Sequence, residues 1–340
     1  MDLSQTQADK LTNCLANRLP QFDNAHKTAI RLLNGFYEGF PQVIVDLYGS
    51  TLVISNHANP PEELFPLLQG LQDYYLTQLP WLKAVLVKSR NSSQTDGQRG
   101  RLSYGEQADR VIEEHGIQYT LDLRINQDTS FYLDTRNLRS WLHQNMAEKT
   151  VLNTFAYTGT LGVAALAGGA TRVVQTDINA RFLTLAKKSY TLNQIVFEPS
   201  DFMAMDFFKM VDRFKTSKIL FDCVIIDPPF FSVTTGGKVN LNNESARLIN
   251  KVRPLIGHEG WLVTINNALF VSGSQVMAQL NALCESPYIK LHGLIPIPED
   301  VTGYPETIVS EPPTDPSPFN HPTKIAILKV FRKDERRAIL

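Results

Sequence analysis

The sequence predicts an α/β fold: a doubly wound, seven-stranded sheet preceded by a smaller N-terminal α+β domain. Three observations carry that prediction. From about residue 150 onward, apolar β-branched runs alternate with helix-like stretches, the pattern of a parallel sheet with helices on both faces. The strand-like runs end at Asp177, near Ser200, at Asp227 and at Thr264, so polar tips recur at the same point of each unit. Two late runs, 289–295 and 324–331, form a hairpin-like pair joined by a long loop, unlike a plain six-stranded parallel sheet. No internal repeat is visible.

Composition narrows the class. A chain of 340 residues with 43% hydrophobic content can bury a large core and a smaller second one. The formal net charge is −1, so any nucleic-acid contact has to come from local basic patches rather than from a general basic excess. Cys14, Cys223 and Cys284 are far apart and form no CxxC pair, which points to neither a disulfide framework nor a zinc site. No apolar run reaches 18 residues, and the first residues lack a basic then apolar leader. A soluble, cytoplasmic chain is expected.

Taken in order, residues 1–30 read as a helical leader, and helix-like spacing continues from 6 to 33 with a break at Pro20. Residues 31–125 read as the small α+β domain. Within it, 43–48 and 51–55 are β-branched runs separated by Gly49-Ser50, a hairpin signal. A helix over 62–79 and strands over 82–88 and 116–123 complete it. Residues 89–109 are polar and carry Arg90, Arg99 and Arg101, read first as a solvated loop and second as a phosphate-contacting one. The boundary falls near 125, and 126–340 reads as the catalytic domain. Its helices are expected at 134–146, 161–168, 179–193, 207–214, 240–256 and 272–284. The Pro-rich stretch 296–322 looks too polar to be core.

The chemistry is concentrated in four places. Val151 to Phe155 is a strand, Ala156 to Gly159 a tight turn, and Val173 to Asp177 the next strand, so a backbone-exposing turn is followed by an acid at the neighbouring tip. Gly159 permits close backbone approach. Asp177 suits a carboxylate that accepts from two ribose hydroxyls, with a helix N-cap as its structural alternative. Asp206 falls after the third strand, where an adenine amino group would lie, and it too has an N-cap alternative. Asp227-Pro228-Pro229-Phe230 follows a buried strand. Paired prolines fix φ twice and remove two donors, leaving outward carbonyls beside a carboxylate and a ring able to stack on a base. No G-x-G-x-x-G follows the first strand, which weakens a nicotinamide reading.

Together these pieces resemble the class I S-adenosylmethionine-dependent methyltransferases, in particular the group that makes 5-methylcytosine or 7-methylguanine in 23S ribosomal RNA. The resemblance runs from about Gly35 to Arg332. It rests on Gly39-Phe40-Pro41, Val45-Asp46-Leu47-Tyr48-Gly49, Gln127 with Phe131-Tyr132-Leu133-Asp134-Thr135-Arg136, the turn Phe155-Ala156-Tyr157-Thr158-Gly159, and Phe221-Asp222 with Ile226-Asp227-Pro228-Pro229. It implies a Rossmann-like methyltransferase sheet and S-adenosylmethionine as cofactor, with no metal. It implies further that Phe155, Tyr157, Thr158 and Gly159 hold the methionine part, Asp177 and Ile178 the ribose side, and Asp206 and Phe207 the adenine side. Tyr132, Asp134 and Arg136 would approach from the other side. Asp227, Pro228, Pro229, Phe230 and Asn267 would form the catalytic set, Asp227 also touching the cofactor. The small domain corresponds to the family's RNA-contacting insert. The family segment carries Lys and Gly where this chain has Asp128 and Ser130. Only about thirty residues precede Gly35, too few for the family's N-terminal PUA domain.

Acceptor chemistry narrows the substrate. Carbon 5 of cytosine is not nucleophilic unaided and needs a thiolate to add at carbon 6. The 5-methylcytosine members carry a cysteine after strand five or the Asp-Pro-Pro loop; this chain has Asn266-Asn267 after strand five, as the 7-methylguanine members do. A nitrogen acceptor, guanine N7 or an exocyclic amine, is therefore expected in ribosomal RNA. A 5-methylcytosine enzyme is the alternative, and an inactive cofactor-binding RNA-assembly module the alternative of another class. His321 reads as a structural turn before a substrate loop, and Lys324, Lys329, Arg332, Lys333, Arg336 and Arg337 as a solvated basic tail. RNA is the expected partner, and a homodimer is left open.

Overall fold

The computed structural model describes residues 3–234, 236–241 and 245–335. Contacts divide the chain into two compact units, one of residues 3–134 with Pro298–Glu311, the other of Thr135–Ile297 with residues 312–335.

The first unit opens with α1 (Gln5–Arg18). Ser4 caps it, accepting from the Gln7 N–H while the Gln7 side chain accepts from the Ser4 N–H. Its buried face of Leu11, Cys14 and Leu15 packs under a five-stranded sheet. The sheet runs β1 (Ala29–Asn34), β2 (Val43–Tyr48), β3 (Thr51–Asn56), β4 (Ala84–Ser89) and β5 (Arg101–Tyr104), in that order. Between β1 and β2 lies α2 (Gly35–Glu38); α3 (Phe65–Gln78) makes the crossover to the parallel β4, and α4 (Thr95–Arg99) precedes β5. β6 (Val111–Glu114) and β7 (Ile117–Thr120) form a separate ribbon.

Residues 29–34 correct the expected helical spacing. They form a strand, because β1 is buried on both sides and its apolar residues therefore run together instead of alternating. The 89–109 stretch is likewise more structured than a loop: it holds α4 and an edge strand paired to β4.

The second unit begins with α5 (Arg136–Asn145) and β8 (Thr150–Thr154). It continues through α6 (Thr160–Ala167), β9 (Arg172–Asp177), α7 (Ala180–Leu192), β10 (Phe202–Ala204), α8 (Phe207–Thr216) and β11 (Phe221–Ile226). After β11 come an antiparallel ribbon, β12 (Phe231–Thr234) with β13 (Gly237–Asn240), then α9 (Ser245–Val252), β14 (Ile256–Asn266), α10 (Gly273–Cys284), β15 (Ile289–Ile295) and β16 (Lys324–Val330). The sheet order is β10-β9-β8-β11-β14-β16-β15, seven strands with β16 antiparallel to both its neighbours. The chain winds outward from β8 to β10, then returns to β11 on the other side, which puts a topological switch point between β8 and β11.

Three expectations need correction here. The helix expected over 240–256 is shorter, because Asn240 belongs to β13; 242–244 lie outside the described residues. The stretch 296–322 is not all outside the cores: α11 (Glu299–Thr302) buries Asp300 and Val301 in the first unit, and Phe319 is buried in the second. Asp300 is tolerated because its Oδ2 accepts from the Arg31 N–H at 3.0 Å and its carbonyl from buried Arg18 at 3.0 Å. The basic tail is not all solvated either. Lys324 is buried in β16, and Lys329 sits over the Trp261 ring at 3.7 Å; Arg336 and Arg337 lie outside the described residues.

Candidate active site

Parallel pairing aligns the carboxyl ends of five strands on one edge of the second unit. Thr154 is opposite Thr176 and Ile226, Ile226 opposite Thr264, and Ala204 opposite Asp177. The turn after β8, the acid ending β9, the Asp-Pro-Pro loop after β11 and the Asn pair ending β14 therefore share that edge, where ligands sit in open α/β sheets.

The turn after β8 is conformationally demanding. Phe155 and Tyr157 have φ of 52° and 50°, and Gly159 has φ of 75°. Non-glycine residues adopt such angles at a cost of roughly 1–3 kcal/mol each, so the surroundings must fix them. They do: Ala156 N–H donates to the Thr176 carbonyl at 2.8 Å and Tyr157 N–H to Asp177 Oδ2 at 2.9 Å. Gln175, polar within a buried strand, completes the hold. Its Nε2 donates to the Gly159 carbonyl (3.0 Å) and the Tyr190 hydroxyl (2.9 Å), while its Oε1 accepts from Asn153 (2.8 Å). A Cβ on Gly159 would lie 2.4 Å from Ala186 Cβ and 2.7 Å from Gln175 Nε2. The glycine thus serves left-handed backbone and helix packing. Thr158 is buried, Phe155 stacks on Phe207 at 4.7 Å, and Tyr157 meets Phe182 edge-on at 4.6 Å.

Asp177 is held rather than spent. Its two oxygens accept from the Tyr157 and Asn179 N–H groups, the latter at 2.8 Å. Burial raises its carboxyl pKa, against the lowering effect of these backbone bonds. The cap of α7 is supplied by Asn179, which accepts from the Arg181 N–H, so Asp177 is not the helix cap. Ile178 beside it is 65% exposed. Asp206, by contrast, is the cap of α8. Its Oδ1 accepts from the Phe208 and Lys209 N–H groups at 2.9 and 3.2 Å, and the Thr234 hydroxyl from the β12–β13 ribbon bonds its Oδ2.

On the substrate side, Asp227 is half-buried, Pro228 buried, and Pro229 and Phe230 exposed. The two asparagines divide their work. Asn266 is buried, its Oδ1 accepting from the Ala268 N–H (3.0 Å) and its Nδ2 donating to Ser245 (3.3 Å). Asn267 is exposed. Lys324 fixes the loop that follows, its ammonium donating to the Ala268 carbonyl at 3.0 Å and the Pro322 carbonyl at 2.5 Å. Burial pushes its pKa down to about 8. Leu269 and Phe270, the latter 72% exposed, stand on that loop. Sequence reading missed Lys324, Gln175 and Phe270. Only Gln175 left a signal, as a long polar side chain inside an otherwise apolar run.

Arg136 opens α5 in the second unit, whereas Tyr132 and Asp134 belong to the first. There, buried Lys88 donates to the carbonyls of Asn126, Gln127 and Asp128 at 3.0, 3.3 and 3.0 Å, and Arg90 pairs with Asp128. Ser130, also buried, accepts from the Asp122 N–H at 2.7 Å. His321 accepts from the Thr323 N–H at 3.0 Å, a turn-forming contact. Among the described residues no group of three or more His, Cys, Asp or Glu side chains is placed to hold a metal ion, and no helix is long and apolar enough to cross a membrane.

Residues 35–294 match the model of the S-adenosylmethionine-dependent methyltransferases, well over half of the chain. The chain belongs to that family. A Bacillus subtilis (strain 168) protein provisionally named ribosomal RNA large subunit methyltransferase YwbD is 28% identical over 273 residues, covering 76% of this chain and 66% of its own length. Ribosomal RNA large subunit methyltransferase I of Aliivibrio fischeri (strain ATCC 700601 / ES114) is 32% identical over 232 residues, covering 66% of this chain and 56% of that one. The match thus spans between about half and two thirds of these relatives. The fold is shared with SMU.776, provisionally described as a methyltransferase and crystallised with SAH: TM-score 0.83 at 23% identity, covering 97% of this chain and 83% of that chain.

The site as folded has a lining that suits the ribose end of S-adenosylmethionine, the cofactor of that family. A desolvated carboxylate stands at the β9 tip, fixed by backbone bonds beside an exposed apolar side chain and a rigid left-handed turn. Asp206 caps α8, and Phe207 beside it packs on Phe155.

Proposed function

We propose that this chain methylates a nucleobase of large-subunit ribosomal RNA, with a ring or exocyclic nitrogen as acceptor. The relatives named for that RNA support the substrate class. One observation supports the nitrogen: the β11 and β14 tips lie side by side, and both offer hydrogen-bonding groups but no thiol. Cys223 is buried inside β11, where burial raises its pKa far above the thiol range; Cys14 belongs to the first unit and is pushed up to about 12, chiefly by burial. Cys284 ends α10. Neither Cys14 nor Cys223 is an activated thiolate of the kind carbon-5 chemistry requires.

The bound cofactor supplies a methyl group already activated by its sulfonium, so the protein's work is placement and exclusion of water. Asp177 accepts the ribose hydroxyls, and the Phe155–Gly159 backbone, with Tyr157 and Thr158, carries the methionine end. Asp227 and the carbonyls of the rigid Pro228-Pro229 loop accept from the edge of the base, Phe230 stacks on its face, and Asn267 orients it from the neighbouring tip. Guanine N7 fits this set because it has a free lone pair and needs no general base.

Nucleoside mass spectrometry of ribosomal RNA, from cells with and without the gene, tests the reading. Loss of one N-methylated nucleoside, restored by the wild-type gene but not by Asp227→Ala, is expected. Loss of 5-methylcytosine instead would overturn the nitrogen assignment, and unchanged RNA would overturn the substrate class.

A further inference from the structure

The first unit holds a cavity of about 360 Å³ that none of the chemistry above uses. Its wall includes His26, Trp81, Lys27, Lys83, Asp109 and Glu113. The two rings stack nearly parallel, with centroids 3.8 Å apart and planes at 11°. Phe22 meets Trp81 edge-on at 5.9 Å and steadies it from the side.

His26 is held in the left-handed region, with φ of 52°. Asp23 enforces it: one carboxylate oxygen accepts from the Ala25 N–H at 2.8 Å, the other from the Lys27 and Thr28 N–H groups at 2.9 and 2.7 Å. The Asp23 carbonyl takes the His26 N–H itself at 3.1 Å. The Nδ1 of His26 is buried with no hydrogen-bond partner among the described residues. An unpaired buried nitrogen is a cost that a ligand hydrogen-bonding to it would offset.

Charge on the wall is mixed and informative. Lys27 and Lys83 are exposed, and Lys27 reaches Glu113 only at 3.5 Å across an exposed pair, too weak to withhold it from a phosphate. Asp109 is tied through Oδ2 to Ser50 and Thr51. The site therefore offers a planar stacking platform, acceptors in the wall and two cations. That combination suits a heterocycle carrying a phosphate better than an apolar ligand, and the volume is that of a small-molecule pocket.

We propose that this cavity takes one unstacked nucleotide of single-stranded RNA, its base on the His26–Trp81 stack and its flanking phosphates against Lys27 and Lys83. The proposal rests on the RNA-substrate reading and gives the near-neutral chain a local means of RNA attachment outside the catalytic sheet.

A short fluorescein-labelled oligouridylate, titrated into the full chain and followed by anisotropy, tests it. His26→Ala and Trp81→Ala should each weaken binding about ten-fold or more. Lys27→Ala and Lys83→Ala should each lower the slope of log affinity against log salt by about 0.7. Calorimetric affinity for S-adenosylmethionine should be unchanged in all four. Tryptophan quenching by the same RNA should vanish in Trp81→Phe although Trp141 and Trp261 remain. If Trp81→Ala does not fold, His26→Ala and the lysine variants carry the test. Wild-type affinity in His26→Ala together with undiminished quenching in Trp81→Phe would overturn the proposal. Because the oligouridylate assay needs no methyl transfer, that result would leave the methylation reading standing. RNA modification unchanged by loss of the gene would sink the methylation reading while leaving this binding intact.

Discussion

Asp177 carries its charge in a desolvated place at the tip of β9, already fixed by two backbone donors. A carboxylate so placed has little reorganisation left to do when hydroxyls arrive, and hydrogen bonds to charged groups contribute about 1.5–3 kcal/mol each. Asp177→Asn should therefore weaken S-adenosylmethionine binding ten-fold or more by titration calorimetry and lower the melting temperature, because an amide has one oxygen for two backbone donors. Lys324 gives a pH signature. Its native pKa lies near 8, below the ordinary 10.5, because burial disfavours the cation. Between those values the unfolded chain binds more protons than the folded one, so stability on this account rises with pH from about 8 upward. The stability of the wild type relative to Lys324→Met should climb across that window in denaturant titrations. A flat difference would mean that Lys324 is not desolvated. Of these two residues only Asp177 was legible, since an acid ending a strand is a local pattern. Lys324 was read as tail because nothing near it in the chain shows that Ala268 needs a donor.

The β8 turn depends on its neighbouring elements as much as on its own residues. Gln175 ties β9 to the turn through Gly159 and to β8 through Asn153. Gln175→Met keeps the bulk but strands the Asn153 amide and the Tyr190 hydroxyl in a buried place, at about 1–3 kcal/mol for each unsatisfied group. Melting temperature and cofactor affinity should both fall. A loss of stability without a loss of affinity would show that the turn holds its shape unaided. The β12–β13 ribbon is the element that sequence reading did not foresee. Its strands are only four residues each, too short to stand out from the proline loop that they follow. Its effect is specific: Thr234 bonds one oxygen of Asp206 and a Cβ on Gly236 would fall 2.0 Å from the other, so the ribbon clasps the cap of α8. The parallel core was far easier to read. Continuous apolar runs such as Val224-Ile225-Ile226 have few other places to go.

At the scale of the whole chain, the first unit is discontinuous. Buried Arg18 is satisfied by Glu38 at 2.9 Å and by the carbonyl of Asp300, and Thr307 bonds the same glutamate. A piece ending at residue 134 leaves that ion pair short of partners, and an incompletely paired buried charge is costly. Residues 1–134 alone should melt lower, and less cooperatively, than the same piece joined by a flexible linker to 298–311; calorimetric scans of the two would decide. No local signal marks this return of the chain, because Asp300 and Thr307 look like ordinary loop residues until Arg18 is seen beside them.

The placing of β16 has a consequence for synthesis. It comes after β15 in the chain yet lies between β14 and β15 in the sheet. As the nascent chain leaves the ribosome, β14 and β15 therefore emerge while the strand that separates them is still being translated. For that interval each presents an open edge of unpaired backbone, and pairing them directly would be a kinetic trap. A slowing of translation after residue 295 would prolong the exposure, so the yield of folded enzyme should depend on the speed at which the last thirty or so codons before residue 330 are read.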